Sequence, residues 1–212
     1  MTFDEVVERL ACLPDELPAP ADVLMPVVVG GLDTRPRRTP PAGRRGRPAG
    51  VLVLVHPGDD REARVVLTER AARDGHHSGE VSFPGGSAEA ADVDIVATAL
   101  REAAEEVGLD VVTADVRVVG LLERFWIPVS DFDVTPVVAL AHRRPVLAAS
   151  PGEVARIVEP PVGRFLPGAA ITIVERTIRD WPLRYGSYEI DGLSVWGATA
   201  RILSQLGAVL AD

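Results

Sequence analysis

The 212-residue chain contains no lysine, no asparagine, a single cysteine and only 5% aromatic residues. Each shortage excludes something. Without lysine, the phosphate loop of ordinary nucleotide hydrolases, which closes on Gly-Lys-Ser/Thr, is impossible. One cysteine, Cys12, cannot build an intrachain disulfide framework or a cysteine-based zinc cluster, and its simplest expected place is the core. No apolar run approaches the roughly 20 residues of a membrane-spanning helix, and the opening MTFDEVVERL is acidic and amphipathic rather than a basic leader. The expectation is therefore a cytoplasmic protein with no membrane partner. Positive charge is also scarce: 22 arginines face 31 acids, for a net charge of −9. Six of those arginines fall in residues 34–50, which hold no acid, so everything else carries −15. An acidic body repels a phosphate backbone, which argues against nucleic acid as a partner. It suits a site that gathers divalent cations.

With 47% hydrophobic and 25% charged residues, the chain can fill a core and stay soluble, and its length suits one domain with short additions. Residues 1–12 have the pattern of an amphipathic helix, followed by a proline-rich loop and a short extended segment at 23–29. The Arg/Pro/Gly run 34–49 lacks an apolar anchor and reads as a mobile loop, either a solvated linker or a contact for an anionic ligand. This gives an expected division into residues 1–50, helix plus loop, and a main domain over 51–212. VLVLV (51–55) and ARVVLTER (63–70) flank the turn PGDD as strands of a hairpin. DVDIVATALREAAEEVGLD (92–110) predicts a helix, with Val96, Leu100, Ala103 and Val107 on one side, Asp92 or Asp94 as N-cap and Gly108 as the stop. Strands follow at 116–123 and 134–141. GEVARIVEPP (152–161) starts like a short helix, and 193–210 runs from a strand into a last helix. Tyr188 and Trp196 are expected to pack around that helix. Strands in the middle with helices between and after them predict an α+β fold with a mixed sheet.

The acids that matter lie in REAAEEVG (101–108). At 100° per residue, Glu106 sits about 40° from Glu102 and Glu105 about 60° to the other side, so all three project within one arc. Like charges so placed repel, and they stand in the C-terminal half of the helix, where the macrodipole disfavours anions. A hard divalent cation relieves that repulsion, because magnesium and manganese prefer carboxylate oxygens. An acidic triplet alone is most simply a solvated surface. What changes its meaning is the preceding SFPGG (82–86), where two glycines let the main chain approach a metal or a phosphate.

Gly85-Gly86 followed by REAAEEVGL (101–109) resembles the Nudix box of the Nudix hydrolases. The second half of the box matches throughout. The first half departs: the common pattern has a glutamate eight residues before the arginine, where this chain has Val93, and Gly86 lies one residue too far upstream. This longer loop, together with LTER (67–70), HHSGEVSFPGG (76–86), PVSDFDVTPVVAL (128–140), Glu153-Val154 and VWGATARIL (195–203), is similar to the coenzyme A diphosphatase branch. The resemblance spans about 51–206. It implies an α/β/α sandwich around a mixed sheet and hydrolysis of coenzyme A, or a derivative, to 4'-phosphopantetheine and adenosine 3',5'-bisphosphate, with Mg2+ or Mn2+ as cofactor.

Carried over by motif, Glu102 and Glu106 are the implied principal metal ligands, with Glu105 as a further ligand or the water-activating base and Gly85 offering its carbonyl. Arg101 orients the glutamates by ion pairing. Glu153 is the second candidate for the base. Arg70 and His77 fall in the motif before the box and either touch substrate phosphates or pin the loop; His76 is expected to face solvent. Ser130 and Phe132 lie in the segment of coenzyme A type, where the ring stacks on adenine, lines the pantetheine path or belongs to the core. A homodimer is compatible with the resemblance. Two other functions fit the same residues: hydrolysis of another nucleotide such as ADP-ribose, NADH or a nucleoside triphosphate, and a non-catalytic nucleotide-binding module, against which the retained glutamate cluster argues.

Overall fold

A computed structural model describes residues 1–30, 39–43, 45–71, 80–178 and 181–212. In chain order the elements are α1 (Phe3–Arg9), β1 (Val27–Val28), β2 (Arg47–Pro57), β3 (Ala63–Val65), β4 (Leu67–Arg70), β5 (Val81–Ser82), β6 (Gly85–Ser87), α2 (Ile95–Val107), β7 (Val116–Leu121), β8 (Phe125–Ile127), β9 (Phe132–Ala141), β10 (Val154–Val158), β11 (Thr172–Ile178), β12 (Trp181–Ile190), β13 (Leu193–Val195) and α3 (Gly197–Val209). None of the described helices is long and apolar enough to cross a membrane.

The central sheet runs β3-β2-β9-β7, with β6 on β2 and β8 on β9. Its middle pair, β2 and β9, is parallel, and the flanking pairs are antiparallel, giving the mixed sheet expected of the sequence. Strand periodicity builds two cores on its faces. Leu52 and Leu54 of β2 point one way with Val137 and Ala139 of β9, onto Ala99, Ala103 and Val107 of α2. Val53, Val55, Val138 and Leu140 point the other way, toward Phe3, Val6, Leu203 and Leu206 of α1 and α3. A sheet of β-branched and leucine-rich strands buried on both faces needs a helix on each. The result is a three-layer sandwich.

Alanines on α2 let the helix lie close on β2, and Gly50 is the point of closest approach. A Cβ there would stand 2.7 Å from the Ile95 carbonyl oxygen and 3.2 Å from the Ala99 nitrogen. Gly50→Ala should therefore push α2 off the sheet, lowering the melting temperature by roughly 3–10 °C, as overpacking of a tight core does. Thermal unfolding followed by circular dichroism checks this.

Several expectations are corrected by the fold. The first helix ends at Arg9 and is capped by Leu10, so Cys12 falls on the turn beyond it and is exposed, with its thiol on the Leu13 carbonyl, rather than in the core. Strand β2 begins at Arg47, inside the run read as a mobile loop, because Arg47 to Gly50 pair with Phe132 to Thr135. Residues 34–38 and 44 of that run lie outside the described residues. Within the segment 152–161, Val154–Val158 form a strand, not a helix, and pair antiparallel with Leu67–Arg70 across a register shift between Val154 and Arg156. The hairpin of β11 and β12, unread in the sequence, extends a second sheet with β1 on its other edge and β13 on its C-terminal part. Tyr188 is buried in the core with an edge-on contact to Phe165, and Trp196 stacks on Tyr185 before α3.

Candidate active site

The acidic helix has well-defined ends. The Asp94 side chain accepts from the Ala97 N–H at 2.8 Å as N-cap, and Gly108 closes the helix at φ 65°, donating to the Ala103 and Ala104 carbonyls. Burial of Ala99, Ala103 and Val107 fixes the helix rotation, and that rotation decides where each glutamate goes. Glu102 and Glu106 turn toward the loop of β6. Glu105 turns outward and its side chain is 57% exposed. Among the described residues, no three acidic, histidine or cysteine side chains already converge into a cation cage.

Glu106 is a carboxyl whose pKa the site raises strongly. The Gly85 N–H donates to its Oε2 at 3.2 Å. Burial pushes its pKa up; the Gly85 N–H and the positive Arg70 oppose the rise, while Glu102 and Glu153 reinforce it, leaving a value of about 7. Glu102, with 17% of its side chain exposed, is likewise raised, first by burial and against the pull of Arg101. Its carboxylate fits against the main chain of Gly86, where a Cβ would stand 2.4 Å from Oε1. Two carboxyl groups withdrawn from water, beside a backbone cleared of side chains, offer oxygen donors of the type that suits magnesium or manganese. The cradle at Gly86 is part of the fit.

Arg101 binds Glu102 Oε1 and Glu105 Oε2, each at 3.0 Å, and the Ser87 carbonyl at 3.1 Å. It also makes a two-pronged bond to Asp92, 3.0 Å from Nε to Oδ1 and 3.1 Å from Nη2 to Oδ2. The sequence offered Asp92 only as a possible cap, and its true partner is legible only in three dimensions. Arg70 and Glu153 meet at one edge of the site. Val154 pairs with Arg70, and the Ala71 N–H donates to the Glu153 carbonyl at 2.9 Å. The connection is anchored to the helix as well, since the Ser150 N–H donates to the Glu106 carbonyl at 2.8 Å. Reading 152–161 as a strand thus explains how Glu153 comes within electrostatic range of Glu106.

Ser130 and Phe132 form a separate group. The Ser130 carbonyl accepts from Arg47 Nη2 at 3.1 Å, and the Arg47 guanidinium lies 4.2 Å from the centre of the Phe132 ring. Nearby, Trp126 Nε1 donates to Asp131 Oδ1 at 2.9 Å, holding the turn in which Asp131 has φ 58°. Gly85 pairs with Val51, four residues along β2 from Arg47, which puts this group about 13 Å from the glutamates along the strand. His76 and His77 lie outside the described residues.

Residues 46–160 match the family model described as NUDIX domain. Curated relatives include Nudix hydrolase 22, chloroplastic, of Arabidopsis thaliana, 36% identical over 179 residues that cover 80% of this chain and 57% of that protein. Nudix hydrolase 15, mitochondrial, of the same plant is 37% identical over 172 residues, 76% of this chain and 58% of its own. The chain thus spans less than two thirds of the length of these plant relatives. The uncharacterized Nudix hydrolase NudL of Citrobacter koseri is 38% identical over 170 residues, covering 76% of this chain and 81% of the bacterial protein.

Proposed function

The chain belongs to the NUDIX domain family, and from that premise we propose that it hydrolyses the diphosphate bond of coenzyme A or a coenzyme A derivative, giving 4'-phosphopantetheine and adenosine 3',5'-bisphosphate. The observation that carries the reading is the pair Glu102 and Glu106, drawn out of water against Gly85-Gly86, with Glu106 poised near neutrality. Coenzyme A, rather than another nucleotide, is favoured by SGEVSFPGG and DFDVTPVV in the sequence.

Magnesium or manganese, when bound, would supply positive charge at the diphosphate and lower the pKa of a water. The chain's share of the work is placement. Glu102 and Glu106, with the Gly85 carbonyl, would hold the cation, and Arg101 keeps Glu102 in place. Arg70 faces substrate phosphates, and His77 of the same motif is a further candidate for that contact. The Arg47–Phe132 pair and Ser130 receive the nucleoside end, offering a flat ring and a cation for adenine and phosphate. Glu153 takes the proton of the attacking water; Glu105, the other candidate, is already engaged by Arg101 and stands outward. Glu153→Gln should lower kcat by roughly 10²–10⁴-fold, and Glu105→Gln by far less. The reverse ranking in steady-state kinetics would transfer the role to Glu105.

The experiment that tests the substrate is incubation with Mg2+ and a panel of coenzyme A, acyl-coenzyme A, ADP-ribose, NADH and nucleoside triphosphates, with products identified by mass. Cleavage of coenzyme A at the diphosphate is expected to be preferred. Preference for ADP-ribose with intact coenzyme A would replace the substrate while keeping the chemistry, and binding without cleavage of any compound would make the protein a nucleotide sensor.

A further inference from the structure

We propose that Asp92 is a positioning residue that holds Arg101 in a fixed attitude, so that the box glutamates keep oxygens available for a divalent cation; this rests on the reading that the box binds one. Arg101 has five N–H donors, and all five are accounted for: Nε and one Nη2 hydrogen go to Asp92, the other Nη2 hydrogen to the Ser87 carbonyl, and Nη1 to Glu102 and Glu105. Asp92 is itself immobilised. Its side chain is 7% exposed, and Oδ2 also accepts from Thr98 Oγ1 and from the Glu89 N–H, each at 2.9 Å.

Two consequences follow from this geometry. Asp92 occupies the flat two-donor edge of the guanidinium, so Glu102 accepts a single bond from Arg101, at Oε1, and its Oε2 accepts none from that arginine. An arginine released from Asp92 would be free to grip a glutamate with both prongs, as the fork geometry favours, and would compete with the cation for it. Asp92 also cancels the arginine's charge, leaving the negative charge of Glu102 and Glu106 to attract the cation. The sequence explains why this residue does so here. At position 93, where the common box has its glutamate, Val93 is 90% exposed, and Asp94 is spent as the helix cap. In the longer loop Asp92 is the buried acid hydrogen-bonded to the arginine, whereas Glu89 lies 3.9 Å from Nη1 and stays 64% exposed.

The test compares Mn2+ uptake, read by loss of the free-ion electron paramagnetic resonance signal, in the native protein, Asp92→Asn and Asp94→Ala. Asp92→Asn preserves shape and removes charge; it should weaken Mn2+ binding roughly 10–100-fold and lower kcat more than it changes KM. Asp94→Ala should lower the melting temperature through loss of the cap and leave Mn2+ binding unchanged. Equal Mn2+ affinity in Asp92→Asn and the native protein, or a loss no greater than that of Asp94→Ala, would overturn the inference while sparing the metal site. Absence of Mn2+ uptake by the native protein would overturn both. If Asp92→Asn does not fold, Arg101→Lys takes its place, because a single ammonium cannot span Asp92, Glu102 and Glu105, and the same outcomes apply.

Discussion

Glu106→Gln is expected to reduce hydrolysis on the order of a thousandfold and, at the same time, to make the metal-free protein more stable. Both effects come from one cause. A carboxyl pushed up to about 7 by burial and by Glu102 and Glu153 is an ion that the fold holds at a cost. Its folded pKa lies above the ordinary value of 4.5, so its contribution to stability is complete below about pH 4.5 and is lost as the pH rises through about 7. The amide avoids that loss. At pH 8 without metal, Glu106→Gln should exceed the native protein by about 1–2 kcal/mol, after discounting for solvent screening of a partly exposed group, and the difference should vanish near pH 4. Urea unfolding at the two pH values measures it. A cation reverses the balance by favouring the ionised form, so its uptake near pH 7 should release about half a proton from Glu106. Calorimetric titration in buffers of different ionisation heat reads that release. Unaltered turnover in Glu106→Gln would remove this residue from the metal site.

Gly86→Ala is expected to lower kcat roughly a hundredfold while leaving the fold nearly intact. The added methyl would sit 2.4 Å from Glu102 Oε1 and 2.7 Å from Oε2, and those atoms end a flexible side chain that can move aside. The fold loses little because no backbone must shift. The chemistry loses much because a carboxylate displaced by about 1 Å no longer meets its cation in register. Thermal melting beside steady-state kinetics separates the two effects. A variant with unchanged melting and unchanged kcat would show that the Glu102 position against Gly86 has no part in turnover.

How far the site could be read in advance depended on the range of the interactions involved. Helix α2, its Asp94 and Gly108 ends and the Glu102–Glu106 spacing are local features, written in periodicity and capping residues, and they appear where the sequence places them. Which glutamate faces the loop is not local. The wheel puts all three in one arc, but Ala99, Ala103 and Val107 packing on Leu52 and Leu54 rotates the helix so that Glu105 is left outside. The segment 152–161 was misread for a similar reason: a Gly-Glu start mimics a helix N-terminus, while the pairing of Val154–Val158 with β4, more than 80 residues away, overrides it. That correction is what brings Glu153 to Arg70. The sequence offers Asp92 only as a cap because its true partner, Arg101, lies nine residues on, across a loop whose path the sequence does not state. The β11–β12 hairpin is hard to read in the sequence because β11 and the first four residues of β12 lack a buried position and Pro182 interrupts the pattern.

The central claim is that Glu102, Glu106 and the Gly85 main chain together hold a divalent cation. Diffraction from crystals grown with Mn2+, using the anomalous signal of the metal, tests it most directly. An anomalous peak is expected within about 2.5 Å of carboxylate oxygens of both glutamates. Crystals that show manganese bound elsewhere, with Glu102 and Glu106 contacting only protein atoms, would contradict it.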